Sequence, residues 1–168
     1  MLGQLEKRIG LLHSATAVLR TKRHNVLMGH FEGVLGRALT RAPQFREASA
    51  VVENALATSI EAGGTYELPD LLRTKGELLL ASGNVNSSEA EESLLKAIQY
   101  AELQAAPSAK LRAAIPLASH WLATGRRSEA HDLLTSIYSE FMEGFGTVDL
   151  RGAAHLLAEI KQDCKIAN

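Results

Sequence analysis

The chain has 168 residues, 46% of them hydrophobic and 22% charged, a balance that excludes disorder and is long enough for one domain with a sizeable interior. Leu and Ala number 26 and 25 against 14 for Val and Ile together, which favours helix over strand because unbranched side chains lose little rotamer freedom there. A net charge of −1 hides an uneven distribution: residues 1 to 46 carry eight Lys or Arg against two acids, and the remainder carries ten against seventeen.

The first element is a short amphipathic helix through Leu2, Leu5, Ile9 and Leu12, which fades near Ser14 to Val18 as its three- and four-residue apolar spacing ends. A second, from Lys22 to Ala42, carries Val26, Leu27, Phe31, Val34, Leu35 and Leu39 and is stopped by Pro43, which has no backbone donor and restricts the residue before it. The third, Gln44 to Ala62, turns Ala48, Val52, Ala55, Leu56 and Ile60 to one side and ends at Gly63-Gly64, where a left-handed cap is easy. The fourth follows Thr65 with Pro69 in its first turn and ends at Gly83-Asn84. Ser88 and Glu91 form a capping-box pattern for the fifth, which runs through Leu94, Leu95, Ile98 and Leu103 to Ala106. The sixth, opened by Pro107-Ser108, carries Leu111, Ile115, Leu117, Trp121 and Leu122 to Gly125, with Pro116 predicting a kink or a shortened start. The seventh spans Arg127 to Gly144 with Ser128 as its cap, and the eighth spans Thr147 to Asp163 with Leu150, Ala153, Leu156, Leu157 and Ile160 inward.

Three segments share one signature. Gly36 precedes Ala48, Val52 and Ala55; Gly76 precedes Ala90, Leu94 and Ala97; Ala118 precedes Ala130, Leu134 and Ile137. The leading small residues stand 40 and 42 positions apart, a period that marks stacked helix pairs sharing a continuous interior. Small residues at these points set how closely the helices stack. The domain is read as a single unit over residues 1–168: a half repeat at 1–20, repeats at 22–63, 66–106 and 108–144, and a capping helix at 147–163.

This pattern resembles the tetratricopeptide (TPR) repeat. Leu35-Gly36 with Leu39, then Ala48, Val52 and Ala55, fit it without a gap; in the second segment Ala90 comes two positions late, and the third has Ala118 for Gly and Trp121 at the large site. Each segment exceeds the standard unit of about 34 residues. The resemblance implies an all-α, TPR-like right-handed superhelical stack of antiparallel helix pairs. A second resemblance rests on Glu67 to Ser82, Glu89-Ala90-Glu91, Leu111 to Ala114, Gly125 to Ala130 and Tyr138 to Leu150. These blocks look like the C-terminal helical region of bacterial signalling proteins in which a nucleotide cyclase or winged-helix domain precedes a signal-transducing ATPase. No Walker-type Gly-x-x-x-x-Gly-Lys loop occurs in this chain, so the resemblance implies a non-catalytic interaction or regulatory region.

On the TPR alignment the groove would be lined by His30, Arg37 and Arg41 in the first pair, Arg73 and Glu77 in the second and Arg112 in the third. Guanidinium groups in such a row suit the carboxylates of an acidic protein or peptide; the alternative is a solvated face with local pairs such as Arg73 with Glu77. The basic first 46 residues also admit nucleic acid, an adjoining domain or the acidic end of another copy of the chain. The six histidines include no His-x-x-x-His pair, so neither metal nor another cofactor is expected. Ser128, His131 and Asp132 crowd one helical turn with no oxyanion hole in view, and no enzyme is expected. Trp121, Tyr138, Phe141 and Phe145 suit packing between the last helices. Cys164 has no internal partner, and the uncharged stretch Ala113 to Gly125 is too short for a bilayer. Charges at Glu6, Lys7 and Arg8 interrupt any leader, so a cytoplasmic protein without membrane partners is expected.

Overall fold

The computed structural model describes residues 2–21, 28–63, 65–83 and 87–162. Expectations placed on Met1, Lys22, His24, Val26, Leu27, Gly64, Asn84, Asp163 and Cys164 lie outside them. Among the described residues there are eight α-helices and no strand: α1 (Leu2–Thr21), α2 (Met28–Arg41), α3 (Phe45–Glu61), α4 (Leu68–Ala81), α5 (Ser87–Leu103), α6 (Pro107–Ala123), α7 (Arg127–Tyr138) and α8 (Val148–Gln162).

Two helix ends and two caps differ from the expected ones. α1 does not fade at Ser14, because Ser14 and Thr16 donate their hydroxyls to the carbonyls of Gly10 and Leu12, both at 3.0 Å, and so remain satisfied inside a helix. α7 stops at Tyr138 instead of continuing to Gly144. The Ser139 hydroxyl donates to Ser136 O at 2.8 Å, and the amide of Glu140 turns back to Ile137 O at 3.3 Å, tightening the last turn before the chain leaves the axis. Ser88 and Ser128 are not caps: both lie inside their helices, and the residue before α7 is Arg126, with no side-chain cap hydrogen bond. α6 continues through Pro116 to Ala123.

The signature triplets are all buried: Ala48, Val52 and Ala55; Ala90, Leu94 and Ala97; Ala130, Leu134 and Ile137. Ile60, Leu95 and Leu103 were expected inward and are exposed, Leu103 by 82%. A helix turns about 100° per residue, and each of these three falls roughly 100° or more from the centre of its helix's buried stripe.

The chain divides into two compact units, one up to Ser93 and one from Leu94. In the first, α2 packs on α1, α3 and α4, and α3 also packs on α4. Ile9, Leu35, Leu39, Ala48 and Leu78 form one core cluster. Gly36 makes the close approach expected of it: a Cβ there would lie 2.5 Å from Val52 Cγ2 and 3.4 Å from Thr74 Cγ2. Gly33 brings α2 against α4 in the same way, 3.2 Å from Leu71 Cδ2. In the second unit, α6, α7 and α8 pack pairwise, with Leu111, Ala113, Ala114, Leu117, Ala118, Leu134 and Ile160 buried between them.

Three turns close alike. The amide of Gln44 donates to Leu39 O, that of Ala106 to Ala101 O and that of Arg126 to Trp121 O, at 2.8 to 2.9 Å. This is the six-residue closure of a helix that ends on a left-handed residue. Gly125 supplies that conformation after α6 with φ of 84°; Ala105 does so after α5 with φ of 50°, against the steric preference of a side chain with a Cβ.

Candidate functional site

α2 presents two faces. His30, Arg37 and Arg41 follow one another at seven and four residues, so they share a stripe; His30 and Arg41 are exposed and Arg37 is half-buried. Glu32, Leu35 and Leu39 are buried and lie about half a turn away. The start of α2 is anchored by Glu67, whose carboxylate accepts the His30 amide at 3.1 Å and the Ser59 hydroxyl at 3.4 Å. A carboxylate at a helix N-terminus meets the positive end of the helix dipole. Gly29 makes room for it, since a Cβ there would collide with the Glu67 carboxyl group.

Arg73 lies on α4, buried rather than presented to solvent. Its Nη2 meets Asp70 Oδ1 at 2.9 Å and its Nη1 meets Glu77 Oε1 at 2.6 Å. Burial pulls the guanidinium pKa down, but Glu77 and Asp70 outweigh it and hold the group above its ordinary value. Arg73 and Glu77 therefore form a pair within α4. Arg112, in the other unit, borders a cleft of about 280 Å³ with Phe141, Gly144 and Thr147, and its Nη1 lies 3.8 Å from Asp149 Oδ2.

Two lysines tie successive helices together. Lys75 Nζ reaches Glu53 on α3 at 2.9 Å and Glu89 on α5 at 3.2 Å. Lys110 Nζ reaches Glu140 at 2.8 Å and Glu102 on α5 at 3.4 Å. Burial works against the Lys75 charge, but hydrogen bonds to Glu53 and Glu89 outweigh it and raise its pKa. Lys110 is raised mainly by its bond to Glu140. The sequence shows these lysines only as surface charges, since their partners lie from 8 to 30 residues away.

Ser128, His131 and Asp132 do meet on one turn, in an order unsuited to nucleophile activation. Ser128 Oγ donates to Asp132 Oδ2 at 3.5 Å, and Asp132 Oδ1 lies 3.3 Å from His131 Nδ1. The aspartate thus stands between the other two, whereas activation needs the imidazole there. Trp121 is buried under the Arg126 guanidinium, 4.5 Å above its ring, and Tyr138 packs on Phe145 at 5.8 Å. Among the described residues no three His, Cys, Asp or Glu side chains converge as a metal-ligand set, and no helix is long and apolar enough to cross a membrane.

No protein-family model and no curated protein sequence matches the chain. Solved structures do. A single-substitution variant of a Podosopora anserina protein of kinesin-light-chain type, described by its nearly identical TPR-like repeats, aligns with a TM-score of 0.71 at 21% identity, covering 95% of this chain and 78% of that one. Another structure of the same description, without the substitution, aligns with a TM-score of 0.65 at 23% identity over 95% and 79%. Paired helices with recurring buried small residues and this similarity give one conclusion: the chain has an all-α, TPR-like helical repeat fold.

Proposed function

We propose that the chain is a non-catalytic protein-interaction module whose α2 face, with His30, Arg37 and Arg41, docks an acidic peptide segment. The observation that carries the reading is the spacing of the two arginines. Four helical residues separate them along the axis by about 6 Å, close to the roughly 6.6 Å between alternate side chains of an extended peptide. Two carboxylates on one side of such a peptide would each face a guanidinium. Arg73 lies on α4, which packs on α2, and its pairing with Asp70 and Glu77 steadies that helix from within. Arg112 with Asp149 forms a separate polar edge for the same class of partner.

The five sequence blocks between Glu67 and Leu150 relate the module, in this reading, to the C-terminal sensor region of bacterial signalling ATPases and cyclases. The partner is then a domain or protein of such an assembly, in the cytoplasm. The test is fluorescence anisotropy with a labelled decapeptide of alternating Glu and Gly, against the wild type and Arg37→Glu/Arg41→Glu. Saturable binding that weakens at least tenfold in the double variant supports the proposal. Equal affinity for both, or no binding at low salt, sinks it. A labelled DNA duplex or RNA shifted in a salt-dependent manner by the wild type alone would move the function to nucleic-acid regulation through the basic first 46 residues.

A further inference from the structure

The opposite face of α2 holds a second arrangement that an acidic-peptide surface does not explain. A cleft of about 590 Å³ opens between α1 and α3 with α2 as its floor, and Glu32 stands in that floor. The Glu32 side chain is only 4% exposed, yet just one of its oxygens is engaged among the described residues. Oε1 accepts Arg20 Nη2 at 2.8 Å and Asn54 Nδ2 at 3.4 Å. Oε2 has no hydrogen-bond partner among the described residues, on a side chain that lines the cleft.

A carboxylate accepts about four hydrogen bonds, so Glu32, a lining residue of the cavity, retains half of its capacity among the described residues. Its one cation can be exchanged. Arg20 is 66% exposed, so its side chain can swing into solvent, and an incoming cation would replace the charge that the buried Glu32 carboxylate needs beside it. The remaining charges favour a positive visitor over a negative one. Glu47 adds a second carboxylate to the lining, and His13, the other basic group there, already lies 3.2 Å from it.

We propose that this cleft binds a guanidinium group, which would take both Glu32 oxygens with its planar fork and displace Arg20 toward solvent. An ammonium could occupy the site but would not span the two oxygens in parallel. The group can come from a free molecule or from an arginine side chain of a partner. In either case Arg20 acts as an internal competitor.

Calorimetric titration of the full chain with agmatine, and separately with the capped peptide acetyl-Gly-Arg-Gly-amide, tests the assignment; cadaverine serves as the ammonium control. Agmatine or the peptide should bind at least tenfold more tightly than cadaverine. Arg20→Ala should strengthen binding several-fold, Glu32→Gln should weaken it at least tenfold, and Arg151→Gln, an exposed position on α8, should leave it unchanged. Agmatine binding as tightly as the peptide identifies a free ligand, and binding of the peptide alone identifies a partner's arginine. If Glu32→Gln fails to fold, the wild type still decides, since the Asn54 side-chain amide resonances must move on titration. The proposal is overturned if neither probe binds the wild type or Arg20→Ala at millimolar concentration. It is overturned equally if Glu32→Gln folds and binds as well as the wild type, or if the Asn54 amide stays still.

Discussion

In the first unit the packed interior includes Glu32, Arg73, Thr74, Thr16, Ser59 and Ser93, which are all the buried polar side chains among the described residues; the buried side chains of the second unit are apolar. The small residues differ in the same sense. α2 brings its neighbours close through Gly33 and Gly36, where even a methyl would crowd them, while α6 carries fully buried Ala113, Ala114 and Ala118, side chains that already fill their space. A repeat can therefore keep its helix spacing with alanine and an oily interior, or draw its helices closer with glycine and bury charges that then require partners. The second arrangement leaves polar atoms available for recognition, and both proposed sites on α2 belong to it.

The strongest way to break this comparison is Gly36→Ala. Val52 is β-branched and fully buried, so it has little freedom to move aside, and the overlap should cost about 1 to 3 kcal/mol. Thermal unfolding would show a drop of about 2 to 4 °C per kcal/mol. Val52→Ala in the same chain should recover part of the loss, and strict additivity of the two changes would mean that the close approach was assigned to the wrong pair. The counterpart Ala118→Gly should cost only about 1 kcal/mol.

Arg73→Met comes next. It leaves Asp70 and Glu77 without their shared cation and should cost about 1 to 3 kcal/mol in a denaturant melt, whereas Arg112→Met, at the half-exposed edge of the second unit, should stay within about 0.5 kcal/mol. Similar losses for both would remove the distinction between buried and peripheral charge. A change of opposite sign is expected at the turns. Ala105→Gly relieves a left-handed alanine and should stabilise by up to about 1 kcal/mol, while Gly125→Ala should cost about that much.

The smallest effect concerns pH. Lys75 and Lys110 have folded pKa values above 10.5, their ordinary value. Their contribution is thus complete below the unfolded value and disappears as pH rises through the raised one. Melting temperatures of the wild type and of Lys75→Met/Lys110→Met should differ at pH 8 and converge as the pH is taken above 10.5. A gap that stays constant would show that the lysines act through their aliphatic stems alone.

Much of the fold was legible because burial in a helical repeat follows a local rule. Ala48, Val52 and Ala55 recur as Ala90, Leu94 and Ala97, and Pro107, Gly63 and Gly125 mark ends that any reader of turn chemistry would find. The end of α7 was not legible, since Tyr138, Phe141 and Phe145 continue a helix-like apolar spacing after the backbone has turned away. The site was legible only where its logic is local. The pairing of Arg73 with Glu77 is visible at four residues, but Glu32 reads as an ordinary surface acid, because α1 and α3 bury it from 12 and 22 residues away. Gly29 likewise looks arbitrary until Glu67 arrives from the far side of α3 to meet it.

The border between the units falls inside α5, between Ser93 and Leu94. A gene rearrangement that broke the chain at that border would divide the stripe of Ala90, Leu94, Ala97, Ile98 and Ala101 between two products. Each fragment would inherit part of a hydrophobic surface and lack the rest. Exchange of repeats among proteins of this architecture should therefore carry α5 whole, with crossover points in the turns, and the modular unit of inheritance need not coincide with the unit of compactness.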